Sequence, residues 1–167
     1  RPNDHPWHHG LSLTLTRVGD VNFWGGPSHR AEDGYKWRDD HGAQVHRQWK
    51  RREPGCLGQA LDWCNPGTGE TLLHELRTIE ITRHDDTAWS LRWRSELLNV
   101  AGHALELGNY HASSGLAGSH YTGLQFRGAR DLLDEHRDAA VMMRAATGAE
   151  TPETIHGKLA DWMEWDT

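Results

Sequence analysis

Residues 72–82 read Leu-Leu-His-Glu-Leu-Arg-Thr-Ile-Glu-Ile-Thr, and residues 87–98 read Thr-Ala-Trp-Ser-Leu-Arg-Trp-Arg-Ser-Glu-Leu-Leu. Both runs place apolar side chains at every second position over much of their length, which is the period of a strand with one buried face. The segment His84-Asp85-Asp86 between them has the composition of a short turn. The two runs therefore predict an antiparallel β-hairpin.

The parity of the first run also places two charged residues. Ile79 and Ile81 identify the buried face, so Glu75 and Arg77 share the inward side nearer one end of the strand. A salt bridge at the sheet margin explains this pair as well as a functional site does, because structural ion pairs and active sites both gather charged groups. Both interpretations stay open at this point.

The remainder of the chain has the same character. Frequent Gly, Pro, Asn and Asp turns separate short runs, and no internal repeat interrupts them. This pattern predicts an all-β, antiparallel β-sandwich with short helices at most. The interpretation gives further strands at 11–16, 43–50, 57–64, 104–109, 120–127 and 155–165, loops at 28–44 and 111–120, a helical turn at 131–137, and an ambiguous segment at 139–146.

Length and charge narrow the class of protein. The chain has 167 residues, enough for one domain, and a formal net charge of −6. An acidic chain is a poor partner for nucleic acid or an anionic membrane, and no apolar run approaches membrane-spanning length. Cys56 and Cys64 are too few for a disulfide scaffold, which favours a reduced, cytoplasmic setting but leaves their pairing open.

The first residues carry the densest group of titratable side chains. Asp4, His5, His8 and His9 lie within six residues, directly before the alternating run at 11–16. Imidazoles that enter a sheet interior beside a carboxylate suit acid–base chemistry. They also suit a divalent metal, with Asp4 and His5 joined by His8 or His9 as ligands, although the spacing fits no standard metal motif.

Polar side chains at the ends or inner faces of apolar strands are expected to satisfy one another or a ligand, because burying them unpaired is costly. We therefore predict one pocket with His8, His9 and Glu75 as catalytic groups. The predicted substrate-binding residues are Trp24, His46, Tyr121 and Arg127. The chain is also rich in tryptophan, with nine, and flat aromatic faces suit sugar ligands.

Several motifs resemble the bacterial family that carries the name PmoA, methane oxygenase. They are Asp4-His5-Pro-Trp-His8-His9-Gly-Leu with Asn22-Phe23-Trp24-Gly25, Leu72–Arg77, Trp93-Arg94-Ser95, and Tyr121-Thr-Gly123-Leu124-Gln-Phe-Arg127. They occur in the family's order and cover most of the chain. Many members have Tyr-Gly-Gly-Leu where this chain has Thr122, which departs from the pattern.

The resemblance implies a β-sandwich similar to the galactose-mutarotase-like sandwiches, and members are often encoded near sugar-type oxidoreductases. Members are longer, so residues 1–167 are expected to form a single domain or the central part of a longer one, with an oligomer or a partner chain completing the fold. We expect a carbohydrate-active protein of the acid–base epimerase, lyase or hydrolase type. The alternatives are a non-catalytic carbohydrate-binding or structural module, and a metal-dependent oxygenase or hydrolase.

Overall fold

The computed structural model of the protein describes residues 9–119, 121–128, 132–134, 141–148 and 150–166. In these ranges antiparallel strands dominate and the helices are short, so the predicted all-β, sandwich-like fold class is confirmed. The strands are β1 (Leu11–Thr14), β2 (Arg17–Val18), β3 (Ser28–Arg30), β4 (Gly34–Lys36), β5 (Ala43–Glu53), β6 (Cys56–Asn65), β7 (Glu70–Arg83), β8 (Trp89–Asn99), β9 (Leu107–Gly108), β10 (Gly123–Phe126), β11 (Met142–Ala145) and β12 (Met163–Asp166). The helices are α1 (Tyr110–Ser114) and α2 (Pro152–Ile155).

The largest sheet has the strand order β5-β6-β7-β8, and every neighbouring pair is antiparallel. The predicted hairpin is its β7–β8 half, so that prediction is confirmed. Arg77 lies opposite Ser95 and Ile79 lies opposite Trp93. Since directly paired residues share a face, this register places the tryptophan on the same side of the sheet as the Glu75–Arg77 end of β7.

The β7–β8 turn is closed by one carboxylate. Asp85 accepts hydrogen bonds from the backbone N–H groups of Thr87 and Ala88 at 2.7 and 2.8 Å, and a third from the Thr87 hydroxyl. These bonds, those from Thr87 above all, hold the pKa of Asp85 below its usual range, because they favour the ionised form. The sequence His84-Asp85-Asp86 thus forms the predicted turn for an identifiable reason.

The core lies at one end of the inward face of this sheet. Its buried apolar residues come from β2, the segment that follows it, β6 and β7, and they are Val18, Val21, Phe23, Trp63, Leu72 and Leu73. The Phe23 and Trp63 rings pack with their centroids 4.9 Å apart. The short strands β1 and β2 pair with β10 and β9 and supply the layer that packs on this end of the sheet.

Towards the other end of the same face of the sheet, apolar side chains are exposed. Trp49, Leu57, Ile81 and Trp89 are all exposed there. Unpaired sheet edges and open apolar faces are typical of surfaces that associate. The expectation that an oligomer or a partner chain completes the fold stays a prediction.

Two predicted loops are wrong. Residues 28–44 contain the β3–β4 hairpin, whose strands of three residues are too short to produce a readable period. Residues 111–120 begin inside α1, which starts at Tyr110 because the Asn109 side chain accepts the Ala112 N–H, and which ends at Gly115 with φ of 67°. The predicted strand at 155–165 is wrong for most of its length. Its first residue, Ile155, ends α2, and the only strand among these described residues is β12, which begins at Met163.

Cys56 is buried, Cys64 is partly buried, and both are free thiols. None of the helices in the described ranges has the length and apolar character needed to cross a membrane.

Candidate functional site

Glu75 lies at the centre of the inward face, where β7 meets the core, and it is only 1% exposed. Its carboxylate accepts four hydrogen bonds. Trp63 Nε1 donates at 2.8 Å and the Ser95 hydroxyl donates at 2.5 Å. Arg77 supplies the other two, from Nε at 2.8 Å and from Nη2 at 2.7 Å. A carboxylate has about four lone-pair sites, so the acceptor capacity of this group is filled.

Contacts with Glu75, Gln44 and Trp93 hold the side chain of Arg77 in place. It forms the two-bonded fork with Glu75, and Nη2 also donates to Gln44 Oε1 at 2.9 Å. Its guanidinium carbon lies 4.8 Å from the ring centroid of Trp93, within reach of a cation–π interaction. The side chain is only 11% exposed. These contacts fix the plane of the guanidinium before any ligand arrives.

Gln44 connects this network to the layer that packs on the sheet, and Trp93 extends the network along β8. Gln44 Nε2 donates to the backbone carbonyl of Leu13 at 2.9 Å, which ties β5 to β1. Trp93 Nε1 donates to the Ser95 hydroxyl at 2.9 Å, and that hydroxyl donates in turn to Glu75. Side chains from all four strands of the main sheet are therefore joined in one hydrogen-bonded cluster.

A cleft of about 340 Å³ lies between this cluster and β1. That volume is at the lower end of the range for small-molecule sites. Its described lining residues are His9, Leu11, Ser12, Leu13, Thr14, Phe23, Trp24, Gly25, Gly42, Gln44, Arg77 and Trp93. The lining combines aromatic faces with a guanidinium, an amide and an imidazole, which is the mixture expected of a site for a small polar ligand.

Two of the residues predicted from the sequence line this cleft, namely His9 and Trp24. A third, Tyr121, lies next to it, because its ring stacks on Trp24 at a centroid distance of 4.7 Å.

Glu75 does not line this cleft, which differs from its predicted place as a catalytic group in the pocket. Its carboxylate is buried behind Arg77 and its acceptor sites are filled by Trp63, Arg77 and Ser95. The salt-bridge interpretation of Glu75 and Arg77 describes the observed geometry, with N and O atoms 2.7 Å apart. Glu75 therefore holds in place a side chain, Arg77, that does line the cleft.

Arg127 and His46 are not brought to the cleft. Arg127 extends the β1–β10 pairing by donating its backbone N–H to the Gly10 carbonyl, and the residue is exposed. His46 lies on the edge strand β5, where its Nδ1 is 3.1 Å from Gln59 Oε1 and its ring packs against Trp49. The predicted four-residue convergence of His8, His9, Glu75 and Arg127 is therefore not formed by the three members that are described.

Asp4, His5 and His8 lie outside the described residues, so the predicted metal-binding and catalytic roles of this motif stay predictions. Within the described ranges, no group of three His, Cys, Asp or Glu side chains is arranged to hold a metal ion.

The sequence interpretation missed Gln44 and Trp93 as cleft residues. The available signal was pairing, because Gln44 is opposite Trp63 and Trp93 is opposite Ile79 in the sheet. A polar side chain on the inward face of a strand, beside an apolar cross-strand partner, marks a group that needs a buried partner.

Comparison with known proteins identifies a family but no function. No curated protein and no solved structure is detectably similar to the chain. A family model described as "Family of unknown function (DUF6807)" matches residues 1–167. The chain therefore belongs to this family of unknown function, DUF6807.

Proposed function

We propose that the cleft lined by His9, Trp24, Gln44, Arg77 and Trp93 binds a carbohydrate or a closely related hydroxyl-rich small molecule. Trp24 and Trp93 supply flat apolar faces for the carbon side of a sugar ring. The guanidinium and amide groups supply fixed polar partners for its hydroxyls. The resemblance of the sequence motifs to the PmoA family, whose genes often lie near those of sugar oxidoreductases, supports the same ligand class.

The preorganised guanidinium is the observation that carries this proposal. Arginine has five N–H donors, and three of those of Arg77 are used by Glu75 and Gln44. The two donors on Nη1 make no hydrogen bond with any described residue and remain for a ligand oxygen. Because the protein already fixes the group, little conformational entropy is lost on binding.

The charge balance favours a hydroxyl over a strongly anionic group. The carboxylate of Glu75 lies 2.7 Å from the guanidinium that faces the cleft and compensates its charge. A ligand therefore meets a fixed donor rather than an unpaired cation. Phosphorylated ligands usually rely on uncompensated Arg or Lys charge.

Titration calorimetry with a panel of neutral monosaccharides and the corresponding uronic acids tests the proposal. We expect at least one neutral sugar to bind, and we expect Gln44→Leu to weaken that binding, since it removes an amide that lines the cleft and also holds Arg77. Gln48→Leu is the matched control, because Gln48 lies on the same strand, is exposed, and accepts a side-chain hydrogen bond from Lys50, the only such bond that its side chain makes with a described residue. Absence of binding by the whole panel, or equal loss in both variants, contradicts the proposal.

An acid–base enzyme acting on the same ligand class is the second candidate. The observation that favours it is the imidazole of His9 in the cleft lining, because His is the side chain that most often transfers protons in enzymes. Deuterium uptake from solvent into a bound sugar, followed by NMR, reports the proton transfer that an epimerase or lyase requires. We expect His9→Gln to abolish such exchange while the sugar still binds. Binding without exchange or bond cleavage in the wild-type protein identifies a binding module.

A further inference from the structure

A second cavity, of about 400 Å³, lies beside β2, β3 and α1. It shares no described lining residue with the cleft above. Its lining residues come from β2, β3, α1 and the segments around Asn22 and Asp40, and all of them except Ala31 carry a polar or charged group. The lining includes Ser28, His29, Asp40, Tyr110 and Ser114.

The Tyr110 hydroxyl is the group in this cavity that a bound ligand would supply with a hydrogen-bond partner. The residue is 1% exposed, and its hydroxyl is buried with no hydrogen-bond partner among the residues that the structure describes. Ser28 and the backbone of His29 are polar neighbours of the hydroxyl, but neither completes a bond of acceptable geometry. Burial raises the pKa of Tyr110 above its usual value, so the phenol is protonated at neutral pH and is a donor in need of an acceptor. A buried polar group of this kind is rare in a folded protein.

Two hydrogen-bond acceptors, His29 Nε2 and Asp40 Oδ2, belong to residues of the same lining. The Ser114 hydroxyl donates to the Tyr110 carbonyl at 2.9 Å, so it accepts from His29 Nδ1 at 2.7 Å. In the neutral imidazole, Nε2 of His29 is then the acceptor nitrogen. Asp40 receives the Ser28 hydroxyl on Oδ1 at 2.9 Å, which leaves Oδ2 without a hydrogen bond to any described residue.

The charges of the lining are close to balance. The lining contains Arg17 and Arg30 together with Asp20, Glu32 and Asp40, and Arg17 is already paired with Asp20 at 2.9 Å. A carboxylate at the buried end disfavours an anion, and the described residues provide no three-ligand set for a metal ion. Hydroxyl groups, which both donate and accept, match one donor beside two acceptors.

We propose that this cavity is a second binding site, specific for a small, uncharged, hydroxyl-rich ligand such as a polyol or a monosaccharide. The ligand accepts from Tyr110 Oη and donates to Asp40 Oδ2 and His29 Nε2. This site is independent of the first cleft, so either proposal can fail alone.

Saturation-transfer NMR and calorimetry with glycerol, D-xylose and myo-inositol test this site, with D-glucuronate as the anionic comparison. We expect at least one neutral probe to bind, and we expect Tyr110→Phe to weaken binding by about tenfold, the effect of one lost hydrogen bond. The same change should raise the melting temperature of the unliganded protein, since it removes an unpartnered buried hydroxyl. Tyr35→Phe is the matched control, because its ring contacts Tyr110 while its hydroxyl faces Ser119.

Binding that survives in Gln44→Leu but falls in Tyr110→Phe assigns the probe to this cavity rather than to the first cleft. Asp40→Asn gives an independent test, since it keeps the side-chain size and removes the negative acceptor. The proposal is overturned if no neutral probe binds at about 100 mM, which identifies a site for water alone. It is equally overturned if D-glucuronate binds more tightly than the neutral probes, or if Tyr110→Phe binds like the wild-type protein.

Discussion

The pair Glu75–Arg77 allows a test in which two substitutions do less damage than one. Glu75→Leu leaves the guanidinium of Arg77 buried opposite an apolar side chain. Arg77→Leu leaves the carboxylate buried with only Trp63 and Ser95 as donors. The double variant removes both charges from a region where the two side chains are 0% and 11% exposed.

The expected magnitudes follow from burial. Removing one partner of a buried ion pair costs about 3–5 kcal/mol, because the other charge stays uncompensated. In the double variant the main remaining defect is the Trp63 indole N–H, which loses its acceptor at a cost of about 1–3 kcal/mol. The Ser95 hydroxyl can rotate to another acceptor. We therefore expect the double variant to be more stable than either single variant.

Urea unfolding followed by tryptophan fluorescence measures the three variants against the wild-type protein. The control cycle uses Arg51→Gln and Glu53→Gln, a pair with the same 2.7 Å separation whose side chains are about half exposed, and it should show little coupling. If a single variant fails to fold and the double variant folds, the order of stability is already established. Costs of Glu75→Leu and Arg77→Leu that simply add in the double variant refute the reasoning, because independent sites behave in that way.

Three further outcomes are expected. Gly42→Ala should lower the free energy of unfolding by about 1–3 kcal/mol, because the new Cβ would lie 2.3 Å from the ring of Phe23. Gly10→Ala, whose new Cβ meets no atom within 4 Å, should change the stability little, and equal melting temperatures for the two variants would refute the packing argument. Asp85→Ala should destabilise the protein at neutral pH but not in acid, because the pKa of Asp85 is lowered in the folded state and the stability that its carboxylate contributes is lost as the pH falls through that lowered value. A stability difference between the variant and the wild-type protein that persists at pH 2 counts against the role of Asp85 in the turn. The pKa of Tyr110 is raised by burial, so wild-type stability should decline as the pH rises above about 10, and Tyr110→Phe should remove that part of the decline in alkaline unfolding curves.

Sequence alone was sufficient where a strand is long and one of its faces is buried. The β7–β8 hairpin is predictable because its strands are 14 and 11 residues long and carry apolar side chains at alternate positions over much of that length. A shift in register by one residue would expose the apolar face. The inward direction of Glu75 and Arg77 followed from the same parity.

Short elements could not be predicted from periodicity. The β3–β4 hairpin has three residues per strand, and its signal was the dipeptide Asp33-Gly34, with Gly34 at a φ of 72°. The helix α1 was marked by Asn109 before it and Gly115 after it, rather than by an apolar stripe. Each signal lies in capping or turn chemistry, which an interpretation based on apolar alternation does not weigh.

The candidate site was predicted only in part, because clustering along the sequence is not clustering in space. Glu75 was expected to face a ligand, but strand register places Trp63, Arg77 and Ser95 around its carboxylate and closes it off. Gln44 reaches the site from an edge strand more than thirty residues away in sequence from Arg77, its hydrogen-bond partner. Such partners follow from pairing between strands, and no local pattern encodes them.

The central claim is that the cleft beside the Glu75–Arg77 pair binds a hydroxyl-rich ligand, and the tryptophan indoles report on it most directly. In ¹H–¹⁵N spectra recorded during titration with neutral monosaccharides, the indole N–H signals of Trp24 and Trp93 should shift with a single saturable dependence on concentration. The signals of Trp37 and Trp89, whose side chains are exposed away from the cleft lining, should stay in place. Unchanged Trp24 and Trp93 signals throughout the titrations, or equal shifts at Trp89, would contradict the account.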